Sequence, residues 1–267
     1  MPSFTALVRA SHPAPTVVVS ALAALLAVGA GHRGATVLLI SAAVLTGQLT
    51  IGWSNDLIDA PRDRAVGRTD KPLATGVLQT RTVQVALVVA GVVCTGLSVL
   101  MGWWAALAHL VLVGCGWLYN ATVKATVWSW SPYAVAFGAL PTIPWLALQP
   151  PVLPPWWLVA AGGLLGVGAH VVNVLPDLAD DAVTGVRGVP HRLGARGSGL
   201  VGVGAFLAGT AVAVLGPGLP VPGWGWAVLG AAALLAIGSL GRPGRLPFYS
   251  AMVIALLNVI AILGRIG

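Results

Sequence analysis

Long apolar runs separated by short polar loops make up most of the chain. Each run has about 20 residues, which is the length that a helix needs to cross a hydrocarbon core of about 30 Å. Several runs are rich in Gly and Ala, which is typical of helices that pack closely in lipid. The pattern predicts an all-α integral membrane protein, a single polytopic domain over residues 1–267. The nine predicted transmembrane helices cover residues 14–31, 35–57, 82–100, 103–120, 131–148, 156–176, 198–216, 223–240 and 247–264.

Composition supports the membrane interpretation. Hydrophobic residues make up 57% of the chain and charged residues 8%, whereas a soluble domain carries roughly 25% charged residues. The formal charge is +7, but the cations lie between the apolar runs rather than along one water-exposed face. We therefore expect no nucleic-acid partner. The first apolar run lacks a convincing cleavage site, so it is interpreted as a membrane helix and not a signal peptide.

Loop charge predicts the orientation. With a cytoplasmic N-terminus and nine spans, twelve of the Lys and Arg residues fall on the cytoplasmic side and only Arg33 and Arg265 fall outside. This is a strong positive-inside signal. We expect a multi-pass protein of the cell membrane. The long polar loops after the second and sixth spans should face the cytoplasm together with the N-terminus.

The acidic residues are confined to two of these loop regions. The chain contains no Glu, and its seven acids are Asp56, Asp59, Asp63, Asp70, Asp177, Asp180 and Asp181. Residues four apart lie on one side of a helix. Two triplets have this spacing: Asn55, Asp59 and Asp63, then Asn173, Asp177 and Asp181. Each triplet can direct two carboxylates and an amide oxygen to one point, so solvated loop charge is a poor explanation.

Carboxylates packed this closely need a cation. Oxygen ligands favour Mg²⁺ or Ca²⁺ over zinc. Mg²⁺ held by a few carboxylates usually completes its shell with water and phosphate oxygens, and neighbouring Arg and Lys residues can bind the same phosphates. The combination predicts a polyanionic ligand such as a diphosphate. Pro61 is expected to end or kink its helix near Asp59, so that Asp63 would act from a loop or a new turn.

These motifs resemble those of the UbiA superfamily of intramembrane prenyltransferases. The family pattern N-D-x-x-D-x-x-x-D is matched by residues 55–63, and D-x-x-x-D is matched by residues 177–181. The first motif continues with Arg64, Arg68 and Lys71-Pro-Leu, similar to the family's D-R-x-x-x-R-T-x-R-P-L. Tyr119 and Lys124 resemble the family's Y-x-x-x-x-[K/R]. The resemblance covers essentially the whole chain.

The resemblance implies nine helices around a central cavity that opens to the cytoplasm. It also implies Mg²⁺-dependent transfer of a prenyl group from a prenyl diphosphate to an aromatic or other electron-rich lipophilic acceptor. Two Mg²⁺ ions would be held by Asn55, Asp56, Asp59, Asp63, Asp177 and Asp181. The diphosphate would contact Arg64, Arg68, Lys71, Lys124, Asn173, Arg187 and Arg192. The catalytic residues would be Asp59, Asp177, Lys124 and Tyr119.

The chain also departs from the family's ubiquinone branch. His170 and Asn173 stand where that branch has Asp and Tyr, which puts 4-hydroxybenzoate as acceptor in doubt. Weaker candidates for the prenyl or acceptor pocket are Trp53, Trp117, His170 and Arg9. His170 is expected to be a hydrogen-bonded cavity residue rather than a general base, and Arg9 a loop anchor rather than an acceptor ligand.

Three rival interpretations of the sequence can be compared with this one. A terpene cyclase on the same scaffold would ionise the same diphosphate without an acceptor. A CDP-alcohol phosphotransferase would need D-G-x-x-A-R, which the chain lacks. A transporter or non-catalytic scaffold should hold its acids near the bilayer midplane, whereas these acids are predicted at the membrane edge.

Overall fold

The computed structural model describes residues 2–178, 181, 185–242 and 245–266, and these residues form helices, turns and loops only. Two 3₁₀ turns, Val123–Ala125 and Leu175–Asp177, follow α5 and α8. The α-helices are α1 (Pro2–Ala10), α2 (Pro13–Gly29), α3 (Ala35–Ala65), α4 (Thr80–Leu100), α5 (Trp103–Ala121), α6 (Ser131–Ala139), α7 (Thr142–Leu146), α8 (Trp156–Val174), α9 (Val189–Leu215), α10 (Gly223–Ser239) and α11 (Leu246–Ile266).

Six described helices are long and apolar enough to cross a membrane: α3, α4, α5, α8, α9 and α11. A seventh span arises if α1 and α2, which meet at 69°, are counted as one broken span. Apolar side chains on α4 face outwards, and Val92 is 70% exposed, as expected for a surface in contact with lipid. The predicted all-α membrane class is confirmed, whereas the total of nine spans stays a prediction.

The predicted fifth span, residues 131–148, is broken into α6 and α7. Pro141 has no N–H to donate to the carbonyl of Phe137, which a continuous helix would require. Backbone polar groups left free at membrane depth are tolerated only where protein or a cavity covers them. The carbonyl of Phe137 is covered by α8, whose Gly162 approaches so closely that a Cβ would collide with it.

Pro61 does not end its helix. The prediction that the helix would stop near Asp59 is wrong, because α3 continues through Pro61 to Ala65. A proline inside a helix removes one backbone hydrogen bond, and the 31-residue α3 retains enough others to continue past it. Asp63 therefore projects from the same helix as Asp59, and its side chain is buried.

Polar contacts indicate which connecting segments lie at the same end of the helix bundle. At one end, Arg9 donates to the Asp70 carbonyl at 3.3 Å, and Arg245 lies 3.7 Å from the Asp70 carboxylate. At the other end, Arg265 donates to the carbonyls of Gly218 and Pro220. The segments predicted to share one side of the membrane are thus in contact with each other.

Candidate active site

Asp59 belongs to the first acidic cluster, and two cationic side chains contact its carboxylate. The Lys124 ammonium lies 2.6 Å from both Asp59 oxygens, and Arg62 Nη2 lies 2.6 Å from Oδ1. Lys124 comes from the 3₁₀ turn after α5, whereas Arg62 is one turn further along α3. Asn55 donates its amide to Asp59 Oδ2 at 3.1 Å. The predicted four-residue spacing therefore does bring Asn55 and Asp59 together.

Asn120 on α5 fixes the position of Asn55. Its amide nitrogen donates to the Ile51 carbonyl at 2.9 Å and to Ser54 Oγ at 3.0 Å. Its carbonyl oxygen accepts from Asn55 Nδ2 at 3.3 Å. The Asn55 side chain is thereby oriented, and its amide nitrogen donates to Asp59 and Asn120.

Asp56 is the most deeply buried carboxylate of this cluster, at 1% exposure. Its Oδ1 lies 2.6 Å from Lys71 Nζ and 3.0 Å from His12 Nε2. Lys71 and His12 are themselves 3.2 Å apart. The other oxygen, Oδ2, is buried and has no hydrogen-bond partner within the described part of the chain. Lys71, predicted as a diphosphate ligand, instead contacts Asp56 in this state.

Arg68 joins the two acidic clusters. Its Nη1 lies 2.9 Å from Asp177 Oδ1 at the end of the 3₁₀ turn that follows α8. The same guanidinium makes a two-point contact with Asp70, at 2.8 and 2.9 Å. Hydrogen bonding to Asp70 raises the pKa of Arg68, and the reciprocal bond lowers the pKa of Asp70 to about 2. Both groups are therefore charged at neutral pH.

Asp181 is paired with a histidine in the second cluster. Its Oδ2 lies 3.2 Å from His191 Nε2, and burial raises the pKa of the Asp181 carboxyl. Asp180 lies outside the described residues. Within this part of the chain, the second predicted triplet is represented by Asn173, Asp177 and Asp181.

The remaining predicted phosphate ligands point elsewhere in this state. Arg64 donates to the Leu73 carbonyl at 3.0 Å. Arg192 donates to the Arg187 carbonyl at 3.4 Å. Arg187 and Arg192 are both exposed, and neither forms an ion pair with a described carboxylate. They are free to reorient towards an added anion.

A cavity begins beside the acidic clusters, at Asn55 and Asn173, and runs into the helix bundle. It leaves about 200 Å³ for the centres of water-sized groups. Its polar end is lined by His12, Asn55, Tyr119, Asn120, Tyr133 and Asn173. Its other end is lined by apolar side chains from α2, α6 and α11, including Leu22, Leu140 and Ala255. A polyanionic head at the carboxylates would thus have an apolar space directly beside it.

Aromatic rings crowd the polar end of the cavity. The rings of Tyr119 and Tyr133 meet edge to face with centroids 5.1 Å apart, and Asn173 donates to the Tyr133 hydroxyl at 3.3 Å. His170 lies behind them, fully buried, with Nε2 3.1 Å from Ser129 Oγ. Tyr119 and Asn173 line the cavity as predicted site residues, whereas His170 is not among its described lining residues.

Three of the weaker pocket candidates lie away from the described cavity lining. Trp53 is buried and donates its indole N–H to the Leu7 carbonyl at 3.0 Å. Trp117 donates to Thr50 Oγ1 at 3.3 Å. Arg9 is exposed and contacts Asp70. Trp53 and Arg9 therefore connect α1 to the rest of the fold.

Two residues that the sequence did not single out take part in this region. His12 contacts the buried carboxylate of Asp56 because the bend between α1 and α2 carries it there. Gln48 lines the cavity and forms no hydrogen bond within the described residues. It lies seven positions before Asn55, about two turns deeper on the same face of α3. A single amide side chain inside an apolar run, at helical spacing from Asn55, is a sequence pattern that could have indicated Gln48. No sequence pattern indicated His12.

The donor set fits Mg²⁺ in its chemistry. Among the described residues no three Asp, His or Cys side chains converge as they would around a bound ion. Instead, the Lys124 ammonium occupies the position of a cation against both oxygens of Asp59. Asp56 Oδ2 is unpaired, and Asp63 makes no ion pair within the described part of the chain. Carboxylate and amide oxygens of this kind would hold Mg²⁺ once Lys124 is displaced.

The fold and the site define a multi-pass α-helical membrane protein with a polar cluster at the mouth of an intramembrane cavity. The model of the UbiA prenyltransferase family matches residues 15–243, and the chain belongs to this family.

Solved structures and curated relatives agree with the assignment. The apo structure of a UbiA homolog from Aeropyrum pernix K1 superposes with a TM-score of 0.76 at 19% identity, covering 93% of this chain and 97% of that one. The structure of a UbiA homolog from Archaeoglobus fulgidus bound to GPP and Mg²⁺ gives 0.72 at 15% identity, with 98% and 99% covered.

A curated relative, 4-hydroxybenzoate octaprenyltransferase of Shewanella sp. (strain MR-4), is 26% identical over 58% of this chain. The chain spans about half the length of the curated relatives it matches, 54% in this case.

Proposed function

We propose that the protein transfers a prenyl group from an allylic prenyl diphosphate to an aromatic or other electron-rich acceptor. The observation that carries this proposal is the joining of two acidic clusters by Arg68 at the mouth of an apolar cavity. The clusters suit a metal-bound diphosphate, and the cavity suits the hydrocarbon chain attached to it. The family membership and the printed names of the relatives support the same chemistry.

The reaction would break the bond between the allylic carbon and the diphosphate oxygen. The bonding electron pair leaves with pyrophosphate, and the acceptor supplies the pair for the new bond and then loses a proton. Mg²⁺ bound at the clusters would neutralise charge on the leaving group. Lys124, Arg68 and Lys71 would add positive charge around it. The ring faces of Tyr119 and Tyr133 would stabilise the allylic cation while the apolar walls exclude water.

The proposed orientation places the acidic clusters and the N-terminus in the cytoplasm. The positive-inside bias of the sequence supports it. The contacts of Arg9 and Arg245 with Asp70 also support it, since they bring three segments of predicted common sidedness together. The membrane would be the cell membrane, and the whole chain would act as one polytopic domain.

Pyrophosphate release by the purified protein tests the proposal. Geranyl, farnesyl and geranylgeranyl diphosphate are supplied with Mg²⁺, with and without a panel of phenols that includes 4-hydroxybenzoate. Asp59→Asn and Asp177→Asn keep the side-chain shape and remove the charge, so each should lower release by about 100-fold or more. Asp70→Asn is the matched control and should have a much smaller effect, because Asp70 belongs to neither of the two triplets with four-residue spacing.

Acceptor dependence separates the outcomes. Release only in the presence of an acceptor, lost in both cluster variants, supports a prenyltransferase. Release without acceptor, with a cyclic hydrocarbon as product, would replace the proposal by a membrane terpene cyclase. Failure to release pyrophosphate from any chain length, with no Mg²⁺-dependent diphosphate binding, would point to a transporter or scaffold.

A further inference from the structure

A second, smaller cavity continues the first one deeper into the bundle. It leaves about 40 Å³ for the centres of water-sized groups, and each such group needs about 10–15 Å³. Asn258 is the one polar side chain among its described lining residues. The Asn258 amide donates to Thr210 Oγ1 and to the Ile254 carbonyl, so its donors are already in use. Its Oδ1 is buried without a hydrogen-bond partner among the described residues, and the rest of the lining is apolar, so the space suits a few methyl or methylene groups.

Helices α2, α6, α8 and α11 contribute to both cavities, whereas α3 and α5 line only the first. On α11, the first cavity is lined from Phe248 to Ala255 and the second from Ala255 to Ile262. Each stretch advances by seven positions, which is about 10 Å at the helical rise. On α2, Leu22 lines both cavities and Leu26 lines only the second. The two cavities therefore form one path of about 20 Å that leads away from the carboxylates.

Four side chains separate the two cavities. These residues line both spaces, and we name them the partition: Leu22, Phe137, Leu140 and Ala255. Leu140 is 4% exposed and occupies the break between α6 and α7, directly before Pro141, which lines the second cavity. The broken backbone thus lies at the point where the path is closed.

We propose that the partition limits the prenyl chain to about the length of a geranyl group, and that removing Leu140 admits longer chains into the second cavity. This inference rests on the proposed function. An extended chain advances about 1.2 Å per bond, by analogy with extended backbone. The eight-carbon main chain of a geranyl group has seven bonds and spans about 8 Å, and the sixteen-carbon main chain of a geranylgeranyl group has fifteen and spans about 18 Å.

These lengths match the two distances along α11. The geranyl chain fills the first cavity alone, whereas the geranylgeranyl chain needs both. A pocket wall that rejects even one methylene can change kcat/KM by about 10-fold or more. The wild type should therefore favour geranyl over geranylgeranyl diphosphate by at least about tenfold.

The test compares kcat/KM for dimethylallyl, geranyl, farnesyl and geranylgeranyl diphosphate. Leu140→Ala should bring the geranyl to farnesyl ratio to near unity by joining the cavities, because the second cavity takes only a few further carbon groups. Adding Val259→Phe should restore the wild-type preference, because Val259 lines only the second cavity. Adding Val253→Phe is the matched control on the same helix. Val253 is 44% exposed and absent from both described linings, so this control should keep the chain-length profile of Leu140→Ala.

Chain-length profiles of Mg²⁺-dependent binding, measured with the same four diphosphates, separate the inference from the proposed function. If no diphosphate is turned over, the proposed function fails, and the binding profiles still report the length limit. Monodisperse size-exclusion elution checks folding, and Phe137→Leu replaces Leu140→Ala if the latter is unfolded.

Two results would overturn the length limit. The first is a wild type that uses geranylgeranyl diphosphate as efficiently as geranyl diphosphate, because the tail would then leave sideways into lipid. The second is a folded Leu140→Ala protein with an unchanged profile, because the second cavity would then be empty or filled by a bilayer acyl chain.

Discussion

Replacing Lys71 by Met should destabilise the folded protein by leaving Asp56 buried without its principal partner. The two charged groups are 2.6 Å apart, and their side chains are 1% and 16% exposed. Neither charge is well solvated, so the pair differs from an exposed salt bridge. Met has a similar length and keeps the apolar stem of the side chain in place.

The size of the effect follows from this geometry. At 2.6 Å and an effective dielectric constant of about 20, the Coulomb attraction is about 6 kcal/mol. Part of this is offset by the cost of burying both charges, and removing one partner of a buried pair typically costs about 3–5 kcal/mol. His12 lies 3.0 Å from the same oxygen and remains as its hydrogen-bond partner, which offsets part of the loss. We therefore expect a loss near the lower end, about 3 kcal/mol.

The assay is SDS-induced unfolding of the purified protein, followed for wild type, Lys71→Met, Asp56→Asn and the double variant. Asp56→Asn should cost less than Lys71→Met, because the Lys71 ammonium can reach water. The double variant should recover part of the loss, since neither charge is then left buried. Arg33→Met removes an exposed cation elsewhere and serves as the control. A Lys71→Met protein within 1 kcal/mol of wild type, or strictly additive single effects, would refute the reasoning.

Three further outcomes follow from the structure. Gly52→Ala places a Cβ against the Ser11 carbonyl and should cost about 1–3 kcal/mol in the same assay. The control Gly91→Ala meets nothing within 4 Å and should gain about 0.5–1 kcal/mol, so equal effects would contradict the packing. Lys124→Met should lower pyrophosphate release by about 100-fold while strengthening Mg²⁺ binding, because it removes the cation that contacts both Asp59 oxygens. Unchanged Mg²⁺ affinity would argue against competition between the ammonium and the metal. Chelation with EDTA should abolish release and Mg²⁺ should restore it, and activity that persists in EDTA would exclude the proposed metal dependence.

Local periodicity was sufficient to predict the features that depend on neighbours in sequence. The apolar runs predicted α4, α5, α8, α10 and α11 to within a few residues, because a helix in lipid must satisfy its backbone hydrogen bonds internally. The second predicted span, 35–57, began correctly, but α3 continues to Ala65. The spacing of Asn55 and Asp59 predicted their contact, because four residues make about one helical turn.

Features that depend on the bundle were not accessible in this way. The contact between His12 and Asp56 crosses 44 positions and exists only because α1 meets α2 at 69°. Whether Pro61 would end α3 depended on how many other hydrogen bonds that helix retains. The break at Leu140 combines a local cause, Pro141, with a tertiary one, the close approach of Gly162. Trp53 and Trp117 were chosen by proximity in sequence to the motifs, but their indoles bond other helices.

The bend between α1 and α2 bears on where the functional unit starts. The family model matches from residue 15, yet Ser11 and His12 precede that point. Ser11 covers Gly52, and His12 contacts the carboxylate of Asp56. A recombinant protein trimmed to the matched boundary would lose both contacts. A bulky fusion joined directly to α1 would disturb the bend between α1 and α2. Affinity tags for purification are therefore better attached through a flexible linker or at the opposite terminus.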